Sequence, residues 1–177
     1  VGGVDNVTFK PNGRVHRLLT RLSIENLFHP FQTFILGQKH IGPRTAQQYR
    51  VPLVFYGESE AEYGNPIAET TTSLRDHSYY TMSDLDQVHL GGVSIPELQE
   101  KYGLSLNDLS PYLPPTPDEL TEGDVQVHYL GYYLKWTPQE AFYEAVDYAA
   151  FRPRPFRSEG TYSKYASVDD KIDDLHW

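Results

Sequence analysis

The sequence predicts an α/β layered fold, and three observations carry that prediction. Leu53-Val-Phe-Tyr56 is a continuous apolar run ending in Gly57, a pattern suited to a strand buried on both faces of a parallel sheet. Val125-Gln-Val-His-Tyr-Leu130 alternates apolar and polar residues, as a strand with one wetter face does. Segments of helical period repeatedly follow such runs, and helices laid on a sheet are how an α/β chain buries its apolar faces.

Taken in order, Asn6-Val-Thr-Phe9 is a short β-branched run stopped by Pro11-Asn-Gly13, which predicts a strand entering a turn. A helix is expected over about 14–28, with Val15, Leu18, Leu19 and Leu22 on its apolar face and Arg14, Arg17 and Arg21 on a neighbouring stripe. Pro30 restricts His29 and ends it. A second helical stretch, about 31–49, contains Pro43, where a break or kink is expected because proline in a helix interior costs about 3 kcal/mol. Residues 58–81 are polar, hold Gly64, Pro66 and three consecutive threonines, and read as a long loop; loops of that length are usually functional or disordered. A short helix, Pro96 to Tyr102, precedes the Pro-punctuated run Pro111-Tyr-Leu-Pro-Pro-Thr-Pro117. Thr137-Pro138-Gln139-Glu140 is the clearest helix start, with a cap, a proline at the first helical position and a capping-box glutamate. Phe142, Ala145, Val146 and Ala149 form the expected buried stripe of that helix, and Ser167 opens a last one.

Composition narrows the function classes. The chain has 177 residues, 39% hydrophobic and 14% aromatic, which argues for one folded α/β domain and against disorder. No apolar run approaches the roughly 20 residues that cross a bilayer, so no membrane span is expected. The absence of cysteine excludes disulfides and thiolate zinc sites within these residues and is compatible with a cytoplasmic location. The chain opens on Val1-Gly2-Gly3 and closes on His176-Trp177 within a predicted helix, so a piece of a longer protein is expected.

Charge is divided along the chain. Residues 1–57 carry seven basic and two acidic groups, a net +5, while the remainder carries 8 basic and 22 acidic groups, a net −14. The overall charge of −9 argues against duplex nucleic acid as a partner, which needs a concentrated positive face. A local basic face can still meet a small phosphorylated ligand; a solvated helix face is the alternative for any single arginine.

Two segments carry candidate chemistry. Gly57-Glu-Ser-Glu-Ala-Glu-Tyr-Gly64 follows the predicted buried strand, and open α/β sheets bind ligands beyond the carboxyl ends of their strands. Glu58, Glu60 and Glu62 could supply oxygen ligands to Mg²⁺ or orient an amine nucleophile; an acidic solvated loop is the alternative. In the second segment Gly160, Thr161, Ser163 and Lys164 supply hydroxyls and a cation for phosphate oxygens. Asp169 and Asp173 stand four apart, as do Asp170 and Asp174, so each pair shares a helix face that can hold a hard cation or complement the helix dipole. The seven histidines show no metal spacing, and His16, His89 and His128 read as structural or surface residues.

Four blocks carry a family resemblance. They are Phe9-Lys-Pro-Asn-Gly-Arg-Val-His-Arg17, Leu53 to Asn65, Tyr129-Leu-Gly-Tyr-Tyr-Leu-Lys-Trp136, and Glu159-Gly-Thr-Tyr-Ser-Lys-Tyr-Ala-Ser-Val-Asp-Asp-Lys-Ile-Asp173. In this order they resemble the N-acetyl sugar amidotransferases of lipopolysaccharide and surface-glycan biosynthesis, members of the PP-loop ATP pyrophosphatase superfamily. The resemblance implies part of an adenine-nucleotide-hydrolase-like parallel sheet with flanking helices. It implies ATP-dependent conversion of an acetamido to an acetamidino group on a nucleotide-linked or free N-acetyl sugar, with Mg²⁺ and with ammonia from glutaminase and cyclase-like partners. On the same resemblance Glu58, Glu62, Lys164 and Asp170 are catalytic candidates. Arg17, Gly57, Tyr63, Gly64, Gly160, Thr161, Ser163, Tyr165 and Lys171 are candidates to contact substrate or nucleotide, and Asp169 and Asp173 to hold metal. The family's amino-terminal Cys motif and its Ser-Gly-Gly-Lys-Asp-Ser loop are missing here. Gly2-Gly3-Val4-Asp5-Asn6 is no substitute for that loop, because its glycines precede the predicted strand instead of opening a helix. A partial chain, inactive alone, is therefore expected; a non-catalytic binding or structural module that kept the fold is the alternative.

Overall fold

The computed structural model describes residues 3–57, 71–82, 84–121, 124–135, 137–157 and 162–165. The chain divides into two compact units, one of residues 1–56 and 74–128 and the other of residues 57–73 and 129–177. The architecture is mixed α/β, with a small parallel two-stranded sheet and flanking helices.

In the first unit α1 spans Gly13–Leu27, opened by Asn12, whose side-chain oxygen accepts from the Arg14 N–H at 3.0 Å. Its apolar stripe is buried through Val15, Leu19 and Leu22, and Arg14, Arg17 and Arg21 line an exposed face, as the periodicity requires. The helix ends on Phe28 in the left-handed region, two residues before Pro30. Helix α2 spans Gln32–Tyr49 without a break at Pro43. Residues 6–9, expected as a strand, form none: no strand pairs with them among the described residues, and Val7 and Phe9 stay exposed.

Strand β1 is Leu53–Tyr56, and Val54 and Tyr56 are half-buried while Leu53 and Phe55 face solvent. Burial on both faces is thus not realised, because the described sheet has two strands in this layer. Its partner is β4, Gln126–Tyr129, which burrows Val127 and Tyr129 inward as the alternating pattern predicts. The Gln126 N–H donates to the Pro52 carbonyl at 2.8 Å, and Leu74 bridges His128 from β4's other side.

Between these strands the chain makes a hairpin that its sequence pattern did not predict, β2 (His89–Leu90) and β3 (Val93–Ser94). Gly91 and Gly92 form its turn at φ 61° and 74°, and a Cβ on Gly91 would stand 2.9 Å from the Leu19 carbonyl of α1. Glycine is needed there for both reasons. The hairpin is tied down by the Asn26 amide, which donates to the Gly91 carbonyl at 2.9 Å, and by Gln32, which accepts from the Gly91 N–H at 3.0 Å. Helix α3 (Ile95–Tyr102) follows from a Ser94 cap, and the four-residue α4 (Leu106–Leu109) opens with a Ser105–Asp108 capping box.

Two apolar clusters fill this unit. One joins Val15, Leu19 and Leu22 to Leu90, Val93, Ile95, Leu98, Leu109, Tyr112 and Leu113. The other gathers Ala46, Tyr80, Leu120, Val125 and Val127 under Val54 and Tyr56. The Pro-punctuated run is therefore core: residues 112–115 are all buried.

The second unit holds α5, Pro138–Ala149. Thr137 occupies the cap position but its side chain makes no cap hydrogen bond, so the expected capping box is absent. The expected stripe is not buried either: Phe142 and Ala145 are half-buried and Val146 and Ala149 exposed. Phe142 instead stacks on Tyr165, with ring centroids 4.7 Å apart, and meets Phe151 edge-on at 6.2 Å. The helix predicted from Ser167 lies outside the described residues.

Candidate functional site

The chain leaves β1 through exposed Gly57, so Glu58 is the second residue beyond the strand in sequence. Glu58, Glu60, Glu62, Tyr63, Gly64, Gly160, Thr161, Asp169, Asp170, Lys171 and Asp173 lie outside the described residues. The described surroundings of β1's carboxyl end belong to α2 and the 74–81 segment.

Pro43 has no N–H, so the carbonyl of Lys39, four residues earlier, lacks its helix donor. The Tyr56 hydroxyl replaces that donor, reaching the Lys39 carbonyl at 2.8 Å and the Gln38 carbonyl at 3.2 Å. Gly42 makes room for the contact, since a Cβ there would lie 2.8 Å from the Tyr56 hydroxyl oxygen. Proline is thereby accommodated without a break, and Lys39 is fixed to the last residue of β1.

The Lys39 ammonium lies 3.5 Å from the centroid of the Tyr79 ring, and the Arg75 guanidinium lies 3.9 Å from the same centroid. Arg75 is 7% exposed. Its N–H donates to the Val127 carbonyl of β4 at 2.9 Å, which sets it beside the sheet. Tyr79 sits in a short helical turn, His77–Tyr79, capped by Asp76, whose carboxylate accepts from the Ser78 N–H at 2.9 Å. The Ser78 bonds hold the exposed Asp76 carboxyl below its ordinary range. His77 anchors the turn's other side through 2.7 Å to the Leu120 carbonyl. Each cation–ring contact contributes about 0.5–2 kcal/mol.

The next residue of α2 after Lys39 carries no charge near pH 7. His40 is 3% exposed, with Nδ1 3.1 Å from the Tyr112 carbonyl, and burial, assisted by the Lys39 charge, lowers its pKa to about 4. Burial raises Tyr112 to about 12, and its hydroxyl meets His16 Nδ1 at 3.0 Å beneath a stacked pair of rings. Both groups are therefore neutral near pH 7, and they serve to pin α1 and α2 to the residue 112 segment.

The remaining described candidates separate by unit. Arg17 stands exposed on α1 in the first. In the second, the Lys164 carbonyl accepts from the Arg154 N–H at 2.9 Å, and the Tyr165 hydroxyl donates to the Gln139 side chain of α5 at 3.3 Å. Lys164 is exposed, and Ser163 and Tyr165 are half-buried. Tyr165 thus packs against α5 through both ring and hydroxyl. Among the described residues no group of three or more His, Asp or Glu side chains is placed to hold a metal ion, and no helix is long and apolar enough to cross a membrane.

Comparison with known proteins finds no matching family model and no matching curated protein. Sequence reasoning missed Lys39, Arg75 and Tyr79 as a group. The one signal was Lys39's place four residues before Pro43, at the carbonyl a proline orphans.

Proposed function

We propose that these residues are part of an ATP-dependent amidotransferase that converts a sugar acetamido group to an acetamidino group in lipopolysaccharide or surface-glycan biosynthesis. The observation carrying the reading is the step Tyr56-Gly57-Glu58 out of β1, a strand paired in parallel with β4. Ligands of open α/β sheets bind beyond such strand ends. The four sequence blocks that resemble the PP-loop amidotransferases, in the family's order, support the same reading.

The chemistry follows from the leaving group. An amide oxygen departs poorly, so the acetamido oxygen attacks the α-phosphorus of ATP and pyrophosphate leaves. Ammonia then adds to the activated carbon, AMP departs, and a proton is lost to give the amidine. Glu58 and Glu62 would orient the ammonia and accept its proton. Ser163, Lys164 and Asp170 would contact phosphate or sugar, and Arg17, Gly57, Tyr63, Gly64, Gly160, Thr161, Tyr165 and Lys171 would line the substrate and nucleotide. Mg²⁺ would accompany ATP, with Asp169 and Asp173 as its proposed ligands. Glutaminase and cyclase-like subunits would supply the ammonia in a cytoplasmic setting.

The test uses the complete polypeptide that carries this chain, with Mg-ATP, ammonium and an N-acetylated nucleotide sugar. Mass spectrometry is expected to read replacement of one oxygen by NH. Glu58→Ala is expected to slow this by about a hundredfold or more, the range of a lost general base. A wild-type protein that forms no amidine overturns the reading, and an undiminished Glu58→Ala variant removes Glu58 from it.

A further inference from the structure

We propose that Tyr56 is a positioning residue for Glu58: its hydroxyl clamps the end of β1 to α2, so that the chain sets out toward Glu58 from a fixed point. This role rests on the amidotransfer reading. Gly42, Pro43 and Tyr56 build the clamp together. Proline at position 43 leaves the Lys39 carbonyl without a helix donor, and the Tyr56 hydroxyl lies 2.8 Å from that oxygen and 3.2 Å from the Gln38 carbonyl. Gly42 keeps the path open, since a Cβ there would lie 2.8 Å from the hydroxyl oxygen and 3.3 Å from the ring carbon that bears it.

Place in the chain gives the clamp its consequence. Tyr56 is the last residue of β1, Gly57 has no side chain, and Glu58 follows. Tyr56 is therefore the last residue before Glu58 whose side chain can hold the backbone to α2. Val54 packs from the same side, with its Cγ1 3.4 Å from the Gly42 Cβ position. Apolar packing of that kind has no preferred direction, whereas a hydrogen bond fixes both distance and angle. A proton acceptor needs that precision, because it must stand within hydrogen-bond reach of the group it serves. A misplacement of about 1 Å can lower a rate by about a hundredfold.

The test uses the complete polypeptide with Mg-ATP, ammonium and an N-acetylated nucleotide sugar, and compares Tyr56→Phe, Glu58→Ala and the double variant. Tyr56→Phe keeps the ring and is expected to lower kcat about tenfold or more, with KM for Mg-ATP unchanged. In the Glu58→Ala background the same change is expected to have little further effect, because a residue that acts through Glu58 then has nothing to place. Gly42→Ala, which crowds the hydroxyl from the helix side, is expected to lower kcat too, although alanine is the better helix former. Gly103→Ala, a destabilising change at the end of α3, is expected to keep the wild-type kcat, which separates positioning from lost stability. Three results overturn this role alone while the wild type is active: an undiminished Tyr56→Phe, losses that add in the double variant, or Gly103→Ala slowed as much as Tyr56→Phe. A wild type that forms no amidine overturns the amidotransfer reading and this role with it.

Discussion

The Tyr56 hydroxyl donates a 2.8 Å hydrogen bond to the Lys39 carbonyl, the group that Pro43 leaves without a helix donor. A strand residue thus repairs a defect inside a neighbouring helix, and the same contact positions Lys39 over the Tyr79 ring. The link couples fold and site: weakening it loosens α2 from β1 and frees the lysine from its anchor.

Removing the repair tests that link. Tyr56→Phe is expected to lower stability by about 1 kcal/mol, the net value of one hydrogen bond. In a Pro43→Ala background the new N–H serves the Lys39 carbonyl, so the same change costs less. Urea unfolding of the four proteins in this cycle measures the coupling, and strict additivity would contradict it.

Glycine positions offer an internal comparison. Gly91→Ala meets both a positive φ and the Leu19 carbonyl, with loss expected at roughly 2–4 kcal/mol. Gly103 also has positive φ, 68°, but its Cβ would enter open space. Gly103→Ala is expected to cost about 1 kcal/mol. Equal losses in thermal melts would show that close approach to α1 is not what requires Gly91.

Buried His40 sets an acid limit on stability. Its folded pKa of about 4 lies below the ordinary histidine value of 6.5, so between these pH values the unfolded chain binds a proton that the native chain does not. Stability is full above pH 6.5 and falls as pH drops through this window, by about 3 kcal/mol in all. His40→Gln removes this contribution, so its denaturant midpoint is expected to vary less between pH 6.5 and pH 4 than the wild type's. An unchanged slope would contradict the assignment.

Much of the helical structure is legible because it is local. The α1 stripe of Val15, Leu19 and Leu22 and the Asn12 cap are written within one segment, as is the Ser94-Ile-Pro start of α3. Features set by distant residues are not. The compensation for Pro43 comes from Tyr56 on another element, so an expected kink became an unbroken helix. Strands β2 and β3 have two residues each, too short for a period to show, although the Gly91-Gly92 pair between apolar flanks is a hairpin signal. The apolar run of β1 and the stripe of α5 gave the element types correctly but not the burial, which depends on what packs against Leu53, Phe55 and Val146. Asn6 to Phe9 has strand composition but acquires no strand partner among the described residues. At the site, Lys39 and Arg75 meet through a tyrosine ring, a tertiary contact that no spacing rule expresses, whereas Glu58's place after a strand is a local fact.

The most direct test of the account is the identity of the phosphorus products. With the complete polypeptide, Mg-ATP, ammonium and an N-acetylated nucleotide sugar, ³¹P spectroscopy is expected to show AMP and pyrophosphate in step with amidine formation. Release of ADP and inorganic phosphate, or AMP formation that ignores the sugar, would contradict adenylation of an amide oxygen as the reaction this chain helps to perform.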